Sequence, residues 1–172
     1  EDFELQHVSP DRGGVMLLEM LYILENFELR GMEHCSTDYL RVVSEAMKRA
    51  TNDKDAHVGD PKFVTVPVDR LTSKAYAKAM AGEIARGAKA SVTRFNSGAV
   101  SKDTTHISVL DKDGNCFTMT HSLGMPSGVI TPGLGFMYNG CMGVFDPRPG
   151  RAGSIAPGKA RFSSVVPSIV FK

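Results

Sequence analysis

The chain has 172 residues, 20 Lys+Arg against 19 Asp+Glu for a formal charge of +1, and is 42% hydrophobic and 23% charged. That composition excludes wholesale disorder, and the length suffices for one domain with a buried core. Near-neutral charge argues against nucleic acid or an anionic membrane as the main partner.

The chain begins on Glu1 rather than Met and ends on Ile169-Val170-Phe171-Lys172, which reads as an interrupted strand. An internal piece of a longer chain is therefore expected, and no compartment is assigned. The most apolar stretch, Val15 to Leu24, is interrupted by Glu19. It is shorter than the roughly 20 residues a membrane span needs. Preceded by Gly13-Gly14, it predicts a helix from about Val15 to Phe27, with Met16, Leu17, Met20, Leu21 and Leu24 at helical spacing. A second helix is expected from a Ser36/Thr37 cap to about Ala50, burying Tyr39, Leu40, Val43, Ala46, Met47 and Ala50. Gly59-Asp60-Pro61 marks a turn, and a third helix follows Thr72/Ser73 to about Ala85, stopped by Gly87. Residues 88–102 read as an exposed loop.

Composition then changes. Of 17 Gly, 7 precede residue 103 and 10 follow; no Glu occurs beyond it. The chain thus divides into a mostly helical part, 1–103, and a strand-rich part, 104–172. From Thr104 onward the period switches to two, and the runs Thr105–Leu110 and Cys116–His121 flank Asp111-Lys112-Asp113-Gly114-Asn115, a hairpin signal. Centring the loop on Asp113 sets Ile107 against Met119 and Val109 against Phe117 on one apolar face. A slip of one residue would mix the faces. The same register puts Ser108 opposite Thr118, His106 opposite Thr120 and Thr104 opposite Ser122, a double row of mostly hydroxyl groups.

Thr104 opens a strand just after a loop. Threonine is a good strand former, and a polar sheet face accounts for it without chemistry. Alternatively, Thr104 is a nucleophile whose own freed α-amino group is its base, which requires the peptide bond before it to be cut. Ser122 then orients the Thr104 oxygen. His106 shares that face, as a structural hydrogen-bonding group or a catalytic one. Cys35, Cys116 and Cys141 lack CxxC spacing, and the five histidines lack metal-ligand spacing, so neither disulfide, metal nor cofactor is expected. Cys141 is a small buried hydrophobe or a reactive thiol. Arg148 and Arg151 belong to a solvated Pro/Gly-rich loop or line a cleft.

Asp103-Thr104-Thr105-His106 followed by Ile107–Asn115 resembles the opening of the small subunit of γ-glutamyltranspeptidases. The likeness continues through Ile155–Lys159 and Phe162–Val170, and upstream through Gly13–Leu24, Tyr39-Leu40, Ala46–Ala50 and Gly59-Asp60-Pro61. It implies an α+β, N-terminal-nucleophile (Ntn) hydrolase, a partial αββα sandwich, made as a zymogen that cuts itself between Asp103 and Thr104. Thr104 then forms an acyl intermediate and passes it to water or an amine. By the same resemblance Ser122 stands where the family usually has a second threonine, and Ser163 and Ser164 grip the substrate carboxylate. The implied partners are a small amide or peptide substrate and the remainder of the precursor. Three positions depart: Cys141 and Val144 replace a Gln or Glu and an Asp that hold the substrate ammonium, and Gly124 replaces an Asn. Loss of such groups costs about 2–5 kcal/mol of ammonium recognition, so a carboxylate-bearing amide other than a glutathione-like donor is expected. An acylase or oxamate-type amidase, or a catalytically silent homologue serving in assembly, are the rival readings. The family's oxyanion-hole Gly-Gly pair would fall beyond Lys172 and its carboxylate-binding Arg before Glu1, so these 172 residues alone are expected to be inactive.

Overall fold

A computed structural model describes residues 4–7, 13–93 and 104–171. Helix α1 (Val15–Leu24) is apolar on almost every side, so periodicity alone does not choose its inner face. The buried line is Val15, Glu19 and Ile23. The expected stripe is a quarter-turn off: Met16, Leu17, Met20 and Leu24 are half-buried and Leu21 is exposed. The helix also stops before Phe27, because Asn26 Nδ2 donates to Tyr22 O at 2.8 Å and closes the last turn.

Helix α2 (Thr37–His57) starts as expected, with Ser36 Oγ accepting from the Tyr39 N–H. It continues well past Ala50. Thr51, Asn52 and Asp53 compete poorly with the backbone because their side chains are engaged: Thr51 Oγ1 donates to Met47 O, Asn52 Nδ2 to Ser91 O, and Asp53 accepts from Tyr76 OH. Its buried line is Val42, Glu45, Ala46, Arg49 and Ala50, whereas Leu40 and Met47 are 52% and 51% exposed. The charged pair is hidden because it is satisfied. Arg49 Nη1 donates to Glu45 Oε2 at 2.7 Å and Nη2 to Ala88 O, and the Ala90 N–H donates to Glu45 Oε2. The segment after Gly87, expected as an exposed loop, is mostly exposed over 88–93 and is also held to α2 as far as Ser91 by these bonds; residues 94–102 lie outside the described residues.

A short helix α3 (Val68–Leu71) leads to α4 (Lys74–Ala85), capped by Ser73 Oγ accepting from the Tyr76 N–H. Ile23 of α1, Val42 and Ala46 of α2, and Ala77, Ala81 and Ile84 of α4 make one core. Val15, Val58 and Leu71 make a second. Phe162, from the strand-rich part, packs on that second core, and Lys54 Nζ sits 5.4 Å over its ring.

Strands β2 (Thr104–Leu110) and β3 (Cys116–Ser122) form the expected antiparallel hairpin in the expected register, from Thr104↔Ser122 to Leu110↔Cys116. Asp111 organises the turn: Oδ1 accepts from the Asp113 and Asn115 N–H groups and Oδ2 from Asn115 Nδ2. The apolar face of the hairpin is uncovered among the described residues, with Ile107, Val109, Phe117 and Met119 each 40–54% exposed. Strands β4 (Pro126–Ile130) and β5 (Met137–Asn139) pair with each other. β6 (Ser168–Phe171) pairs with β1 (Glu4–His7), joining the two ends of the chain, and approaches β3. The architecture is α+β: packed helices with three two-stranded antiparallel sheets among the described residues.

Candidate active site

The hairpin register brings two hydroxyls together at the open end of β2 and β3. Thr104 Oγ1 and Ser122 Oγ lie 2.9 Å apart, Thr104 exposed and Ser122 half-buried. Ser122 Oγ also accepts from the Gly124 N–H at 2.9 Å. Gly124 has φ +69°, so the chain leaves β3 through a left-handed turn that favours glycine.

Further along the same face His106 Nδ1 is 2.8 Å from Thr120 Oγ1, and Nε2 is 3.0 Å from Ser108 Oγ and 3.1 Å from Thr118 Oγ1. With both ring nitrogens engaged by its neighbours, His106 ties the hydroxyl row together rather than facing Thr104.

Ser163 and Ser164 lie on another segment, between Phe162 and β6. Ser163 Oγ is 3.4 Å from the Val165 N–H, and Ser164 is exposed. Their position depends on Gly13: a Cβ there would come within 2.8 Å of Ser163 O and 2.7 Å of Val166 Cγ2. Only glycine lets the start of α1 approach this segment so closely. The Asp103 side of the expected junction lies outside the described residues.

Cys141 opens a 3₁₀ turn (Cys141–Val144) directly behind the Ser122 turn. It is buried, and its Sγ is 3.3 Å from Leu123 O; Val144 is exposed. Arg148 is held on Asp146, with Nε donating to Oδ1 at 2.9 Å and Nη2 to Oδ2 at 2.6 Å. That hydrogen bonding brings the Asp146 carboxyl down to about 2 despite some desolvation. A cavity of about 990 Å³ lies between α2 and this segment, lined by Met47, Lys54, Val144, Arg148 and Phe162 among others. Neither Thr104 nor Ser122 lines it.

A second polar cluster escaped the sequence reading, because its members are far apart in the chain. Glu19 of α1 is buried with Oε1 unpaired, and meets Asp53 of α2, which accepts from Tyr76 OH of α4 at 2.6 Å; Arg70 of α3 lies 3.9 Å from Asp53. Burial first, then the hydrogen bond and charge of Asp53, push the Glu19 carboxyl far above its usual range, against the pull of Arg70. Glu45 moves the other way. Burial opposes its charge, but the Ala90 N–H, Lys48 and Arg49 outweigh it and bring it down to about 2. Among the described residues, no group of three or more His, Cys, Asp or Glu is placed to hold a metal ion, and no helix is long and apolar enough to cross a membrane.

The chain is 42% identical over 165 residues to the "Acylase ACY 1 proenzyme" of Pseudomonas sp. (strain V22), covering 95% of this chain and 30% of that protein. It is 35% identical over 179 residues to the "Glutathione hydrolase proenzyme" of Escherichia coli (strain K12), covering 95% of this chain and 31% of that protein. The chain thus spans about a third of the length of the curated relatives it matches. The crystal structure of cephalosporin acylase from Bacillus halodurans superimposes with a TM-score of 0.77 at 25% identity, over 99% of this chain and 30% of that one, which identifies the Ntn-hydrolase fold. The family described as gamma-glutamyltranspeptidase matches residues 1–172 throughout, and the chain belongs to the gamma-glutamyltranspeptidase family.

Proposed function

We propose that the full-length protein is an Ntn amidohydrolase or acyltransferase whose nucleophile is Thr104. The observation that carries this reading is the 2.9 Å contact between Thr104 Oγ1 and Ser122 Oγ at the first residue of β2. Maturation comes first. Thr104 Oγ1 attacks the carbonyl of residue 103, the peptide C–N bond breaks as the ester forms and so frees the Thr104 α-amine, and water then cleaves the ester to release the carboxylate of residue 103 and the Thr104 hydroxyl. In turnover that amine takes the hydroxyl proton as Oγ1 adds to the substrate amide carbonyl. The leaving amine receives the proton as the tetrahedral adduct collapses to an acyl-enzyme. Water or a second amine then takes the acyl group. Ser122, fixed by the Gly124 N–H, orients the nucleophile, and Ser163 with Ser164 receives a substrate carboxylate.

The donor is a carboxylate-bearing amide without an α-ammonium. The uncharged Cys141 and Val144 support this, as does the higher identity to a relative named an acylase than to one named a glutathione hydrolase. The remainder of the precursor is the partner, and its docking covers the apolar hairpin face of Ile107, Val109, Phe117 and Met119.

Intact-mass analysis of the full-length protein tests the nucleophile. A new chain beginning at Thr104 is expected, and Thr104→Ala abolishes both that chain and amide turnover. Maturation and turnover that survive Thr104→Ala eliminate the reading, whereas an intact wild-type chain after long incubation favours a silent assembly role. For the substrate, a glutaryl anilide is expected to turn over faster than a γ-glutamyl anilide; the opposite order restores a glutathione-type donor.

A further inference from the structure

We infer that Cys141 is a positioning residue for the Thr104–Ser122 hydroxyl pair, acting through the single peptide unit between Leu123 and Gly124; this rests on the nucleophile reading above. The carbonyl of that unit, Leu123 O, lies 3.3 Å from Cys141 Sγ, while its other end, the Gly124 N–H, donates to Ser122 Oγ at 2.9 Å. A peptide unit is planar, so its two ends turn together. Holding the carbonyl fixes the direction of the N–H, and the N–H fixes the serine oxygen that contacts Thr104 Oγ1. Cys141 S–H is a weak donor, but it is a buried one and leaves the carbonyl little freedom to rotate.

Cys141 is itself held. Its N–H donates to Asn139 Oδ1 at 3.1 Å, and the preceding Gly140 N–H donates to Met125 O. The approach is too close for side chains. A Cβ on Gly140 would meet Met125 O at 2.7 Å, and one on Gly124 would meet Cys141 Sγ at 2.8 Å. Among the described residues, that sulfur is the one atom beyond the chain neighbours within 4 Å of the position. A side chain at 124 would therefore press on the thiol at 141 and force one of them to shift, although seventeen positions separate them in the chain. The departures at 124 and 141 thus meet at one contact.

The test uses the full-length precursor, with maturation followed by intact mass, kcat and KM measured on a glutaryl anilide, and the unfolding midpoint measured alongside. Cys141→Ala is expected to lower kcat roughly 3–10-fold, as loss of one weak hydrogen bond does. KM should stay within about twofold. Cys141→Ser, which keeps a donor at the same place, is expected to restore kcat. Gly124→Asn tests the same contact from the other side, since asparagine tolerates the left-handed conformation. Alone it should lower kcat at least about tenfold, yet added to Cys141→Ala it should cost almost nothing further, a non-additivity expected only of residues in contact. An unchanged kcat in Cys141→Ala overturns the inference. So does a loss seen only in the unfolding midpoint, a Cys141→Ser variant no better than Cys141→Ala, or additive losses in the double variant. Activity that survives Thr104→Ala would instead overturn the parent reading, so the two failures are separable.

Discussion

Glu19 shows how much one residue's environment decides. A carboxyl in an otherwise apolar helix reads as an interruption, yet its side chain turns inward and meets Asp53. The folded chain holds the Glu19 proton at pH values where the unfolded chain has lost it. Its contribution to stability is therefore complete below about pH 4.5 and declines as pH rises toward about 8. The slope is at most about 1.4 kcal/mol per pH unit. Glu19→Gln, which carries its hydrogens at every pH, is expected to flatten that decline in denaturant unfolding measured from pH 5 to 8; superimposable profiles would rule out a protonated Glu19 in the folded chain. Glu45 contributes with the opposite sign, its stabilisation being present above about pH 4.5 and lost as pH falls toward 2. The two contributions therefore run in opposite directions with pH.

At the scale of elements, the hairpin was readable and the helix faces were not. Strand side chains alternate with period two, and the turn residues Asp111 to Asn115 fix the loop, so only one register keeps Ile107, Val109, Phe117 and Met119 together. Thr104↔Ser122 follows from that register. In α2, by contrast, Glu45 and Arg49 displace Leu40 and Met47 from the inner face because each charge finds a partner on the Ala88–Ala90 strap. No local pattern announces such a partner. The helix starts are local and were legible: Ser36 and Ser73 each accept from the N–H three residues on. Ser36→Ala is expected to destabilise the protein by about 1 kcal/mol. Thermal unfolding checks it, and no change would mean that tertiary contacts alone hold that end of α2.

Over the whole molecule, the helical part supports the proposed site rather than carrying it. Gly13 and Phe162 tie the Ser163–Ser164 segment to the start of α1 and to the second core. Gly13→Ala is expected to push that segment away and raise KM for a carboxylate-bearing amide roughly tenfold or more, since small misplacements of a binding group are costly. An unchanged KM would remove the serine pair from substrate binding.

The sequence by itself determined the α+β class, the capped helix starts and the hydroxyl pair at the end of the hairpin, because each follows from interactions among residues near in the chain or from a strict alternation. Only the tertiary structure decided which helix faces are hidden, where Glu19 finds Asp53, and that Cys141 backs onto Gly124. Those outcomes depend on which distant groups meet, and a buried charge or a missing side chain makes sense only beside the atom that answers it.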